Sequence, residues 1–154
     1  MGGRPTPLRM IDATTVPFAP SEVWPVLADI AGYSQWWPWS LFVRLRHAEP
    51  GLIGTEFTIR PYGWRSFRCR VVSFEEPRRI CLQYDGCYLG GVAEWRLEPV
   101  CQGTKVIYDL DAEVHDLLVT LFGTVISLES IHACSMRGIF RNLRQSLMQR
   151  SLVT

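Results

Sequence analysis

The chain has 154 residues, 47% of them apolar and 20% charged, with 16 basic against 15 acidic side chains. A globular chain of this length removes roughly 68–70% of its unfolded surface from water, so one core folds unaided and leaves room for an internal cavity. That composition excludes disorder, and a net charge of +1 excludes a surface given over to polyphosphate binding.

The neutrality is local cancellation. Net charge is −1 over residues 1–43, +4 over 44–79, −6 over 80–130 and +4 over 131–154. All the basic residues but Lys105 are Arg, which fits either guanidinium forks for anions or a genome rich in Arg codons. The five cysteines, Cys69, Cys81, Cys87, Cys101 and Cys134, form no C-x-x-C pair and have no histidine cluster nearby, so neither a disulfide framework nor a zinc site is expected. The N-terminus lacks the apolar run of a secretory signal, which gives the expectation of a reducing cytoplasm. Met1 to Thr6 fits an acylation pattern so short that chance accounts for it. The longest apolar stretch, Leu117 to Leu128, is 12 residues and too short to span a bilayer.

In chain order, residues 1–7 read as frayed, within a single unit expected to cover 1–154. Residues 8–17 read as a strand closed by Pro17. Ala19-Pro20-Ser21-Glu22 opens a short helix to Ile30, in which Pro25 is expected to force a kink or a later start. Gly32 to Trp37 reads as a second short helix stopped by Pro38. The period then changes to two, with strands predicted at 41–48, 54–60, 65–75, 79–85, 91–98 and 104–114, separated by short turns that require antiparallel neighbours. Alternation such as Ala93, Trp95 and Leu97 against Glu94, Arg96 and Glu98 gives one dry face and one wet face. From about Asp116 the period is helical again, and Arg137, Arg141 and Arg144 lie off the apolar stripe. The dry face needs a cover, and the last helix is the large apolar one available, so the sheet is expected to wrap it.

The opening block Val16 to Pro38, with its Ala19-Pro20 turn, Val23-Trp24 helix and Trp36-Trp37-Pro38, the Gly103-Thr104 turn before the last strand, and the terminal helix with Asn142-Leu143 are three features. Together they resemble the START-like helix-grip superfamily (SRPBCC), in its polyketide cyclase/dehydrase and lipid-transport branch. Pro25 and the Arg-rich middle depart from that pattern. The resemblance implies an α+β fold: a curved six- to seven-stranded antiparallel sheet around a long C-terminal helix, with two short helices after the first strand. It also implies an elongated cavity for an apolar or aromatic small molecule, without metal or obligatory cofactor. Carriers, sensors and cyclising enzymes share this fold, so it does not fix the activity.

The dry faces nominate Phe57, Ile59, Phe67, Cys69, Leu82, Tyr84, Trp95 and Tyr108, with Phe122, Val125 and Met136 from the helix, as cavity lining or as plain core. Extending the helical stripe places Glu129 and His132 three residues apart on the inward face, as a general acid/base pair, as a satisfied buried pair, or with Glu129 reaching solvent past the sheet edge. His47 reads as a strand-end residue. No metal, serine-hydrolase or nucleotide motif is present. The Trp36-Trp37-Pro38-Trp39 cluster reads as packing of the second helix, with a membrane or partner contact as the alternative. Arg60, Arg65, Arg68, Arg70, Arg78 and Arg79 read as a solvated face paired with Glu94, Glu98, Asp109 and Asp111, or as an anion-docking hairpin. Three functions follow: binding or transport of a hydrophobic or aromatic small molecule such as a lipid, polyketide or isoprenoid-like compound; a polyketide cyclase or dehydratase using Glu129, His132, Tyr84 and Tyr108; and a membrane-surface or partner adaptor. Nucleic acid is not an expected partner, and the chain is expected to be a monomer or homodimer.

Overall fold

The alternating faces build one curved antiparallel sheet. In the computed structural model, which describes residues 4–115 and 127–153, the strands are β1 (Thr6–Val16), β2 (Arg44–His47), β3 (Glu56–Ile59), β4 (Phe67–Glu75), β5 (Arg79–Asp85), β6 (Leu89–Val100) and β7 (Gly103–Val114). Their spatial order is β1-β7-β6-β5-β4-β3-β2, a meander that the first strand completes by pairing with the last. Thr6 and Pro7, expected to fray, pair with Val114 and Glu113. β2 is shorter than predicted: Trp39–Leu41 form a 3-10 turn and Phe42 is left-handed (φ 43°), so extended pairing starts at Arg44.

A bulge between Val71 and Ser73 shifts the phase of β4. Phe67, Cys69 and Val71 face inward before it; after it Phe74 pairs with Ile80 and meets Trp24, ring centroids 6.0 Å apart. Helix α1 (Pro20–Ala28) starts at Pro20, with the Glu22 carboxylate accepting from the Ala19 N–H at 2.8 Å. Pro25 neither breaks it nor delays it, because it sits on the solvent side while Val23, Trp24, Val26 and Leu27 are buried. Asp29 caps the next turn through the Gly32 N–H, and α2 (Tyr33–Trp36) follows.

Helix α3 (Leu128–Ser151) buries Met136, Ile139, Phe140, Leu143 and Leu147 against the sheet. Each such side chain contributes about 1.5–3 kcal/mol when removed from water. The helix begins later than its periodicity suggests: Ser127 is non-helical, and its hydroxyl accepts from the Ser130 N–H at 3.3 Å. The part of the predicted helix over 116–126 lies outside the described residues. Arg144 ties the helix to β1 by donating to the Thr15 carbonyl at 2.6 Å. No helix among the described residues is long and apolar enough to cross a membrane.

The Gly103-Thr104 turn fastens the sheet to the start of α1. Gly103 has φ 136°, and a Cβ there would lie 2.1 Å from the Val16 carbonyl oxygen. The next residue, Thr104, donates from Oγ1 to the Phe18 carbonyl at 2.6 Å. Gly103→Ala is therefore expected to cost roughly 1–3 kcal/mol of stability, read as a lower urea midpoint with an unchanged slope. An unchanged midpoint would show that this close approach is dispensable.

Candidate functional site

Between the sheet and the first turns of α3 lies a cavity of about 160 Å³. Its walls are mostly apolar: Ile59, Phe67, Leu89, Leu110 and Val114 from the sheet, Trp37 and Leu41 from the segment between α2 and β2, and Ile131, Met136 and Ile139 from α3. Tyr33, fully buried, stacks on Trp37 at 4.9 Å and fixes that wall. A larger groove of about 710 Å³ runs outside, along Gln35, Asn142, Gln145 and Arg150. It is open and polar and brings no perturbed acid or base together, so the interior cavity is the candidate site.

Polar groups gather at one place in this apolar wall. Tyr84 and Tyr108, 7% and 2% exposed, share a hydrogen bond between their hydroxyls. The His132 ring lies over Tyr108, centroids 6.2 Å apart and planes 26° apart. His132 Nδ1 is also 3.2 Å from Asp12 Oδ2. The contact is too poorly aligned to count as a hydrogen bond, and neither atom has another partner among the described residues. Asp12 stands opposite Tyr108 in the β1–β7 register, so the sheet itself positions the carboxylate beneath the ring.

Burial pulls the His132 imidazole below its ordinary 6.5, and attraction to Asp12 only partly offsets it. The ring is therefore neutral near pH 7. In the neutral ring one nitrogen carries the proton and the other keeps a basic lone pair. Burial also raises the Tyr108 hydroxyl well above its ordinary value, keeping it a neutral donor. Tyr88, another wall residue, is pushed up to about 12 mainly by burial, and its hydroxyl is already committed to the Arg65 carbonyl at 2.7 Å. The site can thus accept a proton at one nitrogen and donate a hydrogen bond from one phenol of the Tyr84–Tyr108 pair, the other proton being shared between the two hydroxyls.

Of the residues nominated from sequence, Ile59, Phe67, Tyr84, Tyr108, Met136 and His132 line the cavity. Phe57, Cys69, Leu82 and Trp95 are buried but pack away from it as core. Phe122 and Val125 lie outside the described residues. Glu129 does not pair with His132: it is exposed, in the first turn of α3. Helical side chains lean toward the N-terminus, so a residue in the first turn points past the helix end, where the helix dipole favours its charge. The carboxylate that meets His132 is Asp12, which sequence reasoning missed. Its signal was present: Leu8, Met10, Asp12, Thr14 and Val16 form the inward phase of β1, and Asp12 is the lone charge in it.

The Arg-rich hairpin is paired, with other partners than expected. Arg68 meets Asp85 at 2.6 Å and Arg79 meets Glu75 at 3.4 Å, whereas Asp109 meets Arg96 at 3.1 Å and Asp111 meets Arg9 at 3.1 Å. Among the described residues the cysteines are all free, and no group of His, Cys, Asp and Glu could hold a metal ion.

A curved antiparallel sheet closed over one long helix, with an apolar cavity between them, defines a helix-grip protein. The chain belongs to the polyketide cyclase / dehydrase and lipid transport family, whose model matches residues 9–146. Among solved structures, an uncharacterized protein from Rhizobium leguminosarum is similar over 94% of this chain and 97% of its own, at 12% identity and a TM-score of 0.68. Norcoclaurine synthase from Thalictrum flavum, in complex with dopamine and hydroxybenzaldehyde, is similar over 94% and 88%, at 8% identity and a TM-score of 0.69. The di-domain ARO/CYC StfQ from the steffimycin biosynthetic pathway is similar over 94% of this chain and 52% of its own, at 12% identity and a TM-score of 0.67. These likenesses show the fold. No curated protein matches the sequence.

The electrostatics predict a pH response. Unfolding returns His132 to its ordinary range, so below about pH 6.5 the unfolded chain binds the proton more readily and stability falls until the folded value is passed. His132→Gln is expected to remove that part of the decline. In an NMR titration His132 should titrate below 6.5, and Asp12→Asn should lower it further, because the attraction that raises it is gone. An upward shift in Asp12→Asn would refute the pairing.

Proposed function

We propose that the protein binds a hydrophobic or aromatic small molecule in the cavity between sheet and α3, sheltering or carrying it. The observation that carries this reading is the combination of apolar walls with one convergent polar group, His132 beside Tyr84 and Tyr108. Apolar walls reward burial of a carbon skeleton, and the polar spot orients one oxygen of it. An engineered cavity of about 150 Å³ admits benzene. A volume near 160 Å³ therefore suits one aromatic ring, and longer polyketide, isoprenoid-like or lipid skeletons require the walls to move. The two one-ring compounds bound to norcoclaurine synthase support a ligand of that kind.

Native mass spectrometry of freshly purified protein is expected to find an apolar compound bound one to one. Met136→Trp should fill the cavity, remove that compound and weaken 4-hydroxybenzaldehyde binding at least about tenfold, roughly the 1.4 kcal/mol that separates decades of affinity. Ile59→Trp, from the opposite wall, should do the same while far-UV dichroism stays native. Unchanged binding in both variants would sink the reading.

A second reading, a polyketide cyclase or dehydratase, is favoured by one observation: a buried imidazole backed by a carboxylate and facing phenols. His132 would take a proton from the carbon next to a ligand carbonyl, with the developing oxyanion held by whichever hydroxyl of the Tyr84–Tyr108 pair does not donate to the other. For this reading His132→Gln and Asp12→Asn are expected to lower turnover of a poly-β-ketone thioester by about 10²-fold or more while leaving its affinity near wild type. Equal loss of binding and turnover would reduce the pair to a binding role.

A further inference from the structure

Four large aromatic side chains face solvent on two adjacent turns. Trp39 is 82% exposed, Tyr62 53%, Phe42 49% and Trp64 43%. Trp39 and Phe42 sit edge to face at 6.1 Å on the turn that follows α2. Tyr62 and Trp64 belong to the turn between β3 and β4, and the Arg60 N–H donating to the Leu41 carbonyl at 2.8 Å joins the two turns. The patch borders the cavity, because Leu41 and Pro61, one residue from Phe42 and Tyr62, line it. Tyr62 reaches from its turn to α3, where its hydroxyl meets Ser135 Oγ, another wall atom, at 3.0 Å.

The backbone holds these rings outward at a cost. Phe42 (φ 43°) and Tyr62 (φ 53°) are left-handed, a conformation rare for bulky residues, and the only other such non-glycine among the described residues is Leu52. Arg60 Nε braces the second turn by donating to the carbonyls of Gly63 at 3.2 Å and Trp64 at 2.8 Å. Observed strain of this kind points to function. The surrounding charge is positive: residues 39–65 carry Arg44, Arg46, Arg60 and Arg65 against Glu49 and Glu56, and Glu49 is engaged by His47 at 2.6 Å.

We infer that this rim docks on a lipid bilayer bearing anionic headgroups and sets the cavity mouth against the membrane. Tryptophan and tyrosine are the side chains that settle at headgroup depth, and clustered arginines add attraction to anionic lipid. A protein partner would need about 20–30 residues on each side, far more than two turn tips present. The surface is independent of which molecule fills the cavity, so either idea can fail alone.

The test is cosedimentation with vesicles of phosphatidylcholine alone and of phosphatidylcholine with phosphatidylglycerol. Wild-type protein is expected to bind the anionic vesicles at low salt, less so the neutral ones, and to be released by added salt. Trp39→Ser with Trp64→Ser should weaken binding at least about tenfold, with native far-UV dichroism and unchanged 4-hydroxybenzaldehyde binding, because neither tryptophan lines the cavity. Phe42→Gly, which relieves the strain while removing one ring, should weaken it less. Absence of wild-type binding to anionic vesicles at low salt would overturn the inference, as would equal binding by the double variant. So would self-association that the double variant abolishes without any vesicle binding.

Discussion

The apolar stripe of α3 against the concave face of the sheet is the contact from which the rest follows. Met136, Ile139, Phe140, Leu143 and Leu147 recur at helical spacing, and the strands supply a matching dry face by alternation. Neither surface is stable alone: an amphipathic helix and a one-sided sheet each leave a face that must be covered. Their closure also decides where space is left. Toward the C-terminal part of α3, Trp95 fills the gap and meets Phe140 at 6.3 Å. Toward the first turns of α3 the side chains are smaller, His132, Ser135 and Met136, and the cavity opens there.

That gradient along the helix explains why one end is core and the other a site. Trp95, Phe57 and Leu82 lie on the same dry faces as Tyr84 and Tyr108, but at positions where the bulk of neighbouring rings leaves no room. The polar pair sits where room remains. A carboxylate and an imidazole with unaligned atoms that have no other partner among the described residues are expensive to bury, and the sheet tolerates them because each partly offsets the other. Such an arrangement adds little to stability, which is the reason to read it as a site.

Much of the fold was legible because it depends on local periodicity. Six strands and the two short helices fall close to where alternation, proline and glycine put them, and Gly103-Thr104 marks a turn that only a residue without a side chain can make. What escaped depends on distant contacts or on helix ends. Glu129 follows the stripe by angle yet is exposed, because in the first turn of α3 its side chain leans past the helix end. Asp12 was hidden because its partner is 120 residues away and the pairing exists only once β1 lies beside β7. Phe57, Cys69, Leu82 and Trp95 could not be told from true lining residues, since dryness of a face does not reveal whether the space above it is filled.

The start of α3 therefore matters for function as well as for fold. With the helix capped at Ser127, one carboxylate stays in solvent and the other stays in the sheet. Among the described residues the charged group beside His132 is Asp12, held by a strand whose register is fixed over all of its eleven residues. A neutral imidazole in the cavity wall, beside a carboxylate that the strand holds in place, owes its position to the sheet's geometry. The local demand for a helix cap and the chemistry of the cavity are in this way consequences of the same residue pattern.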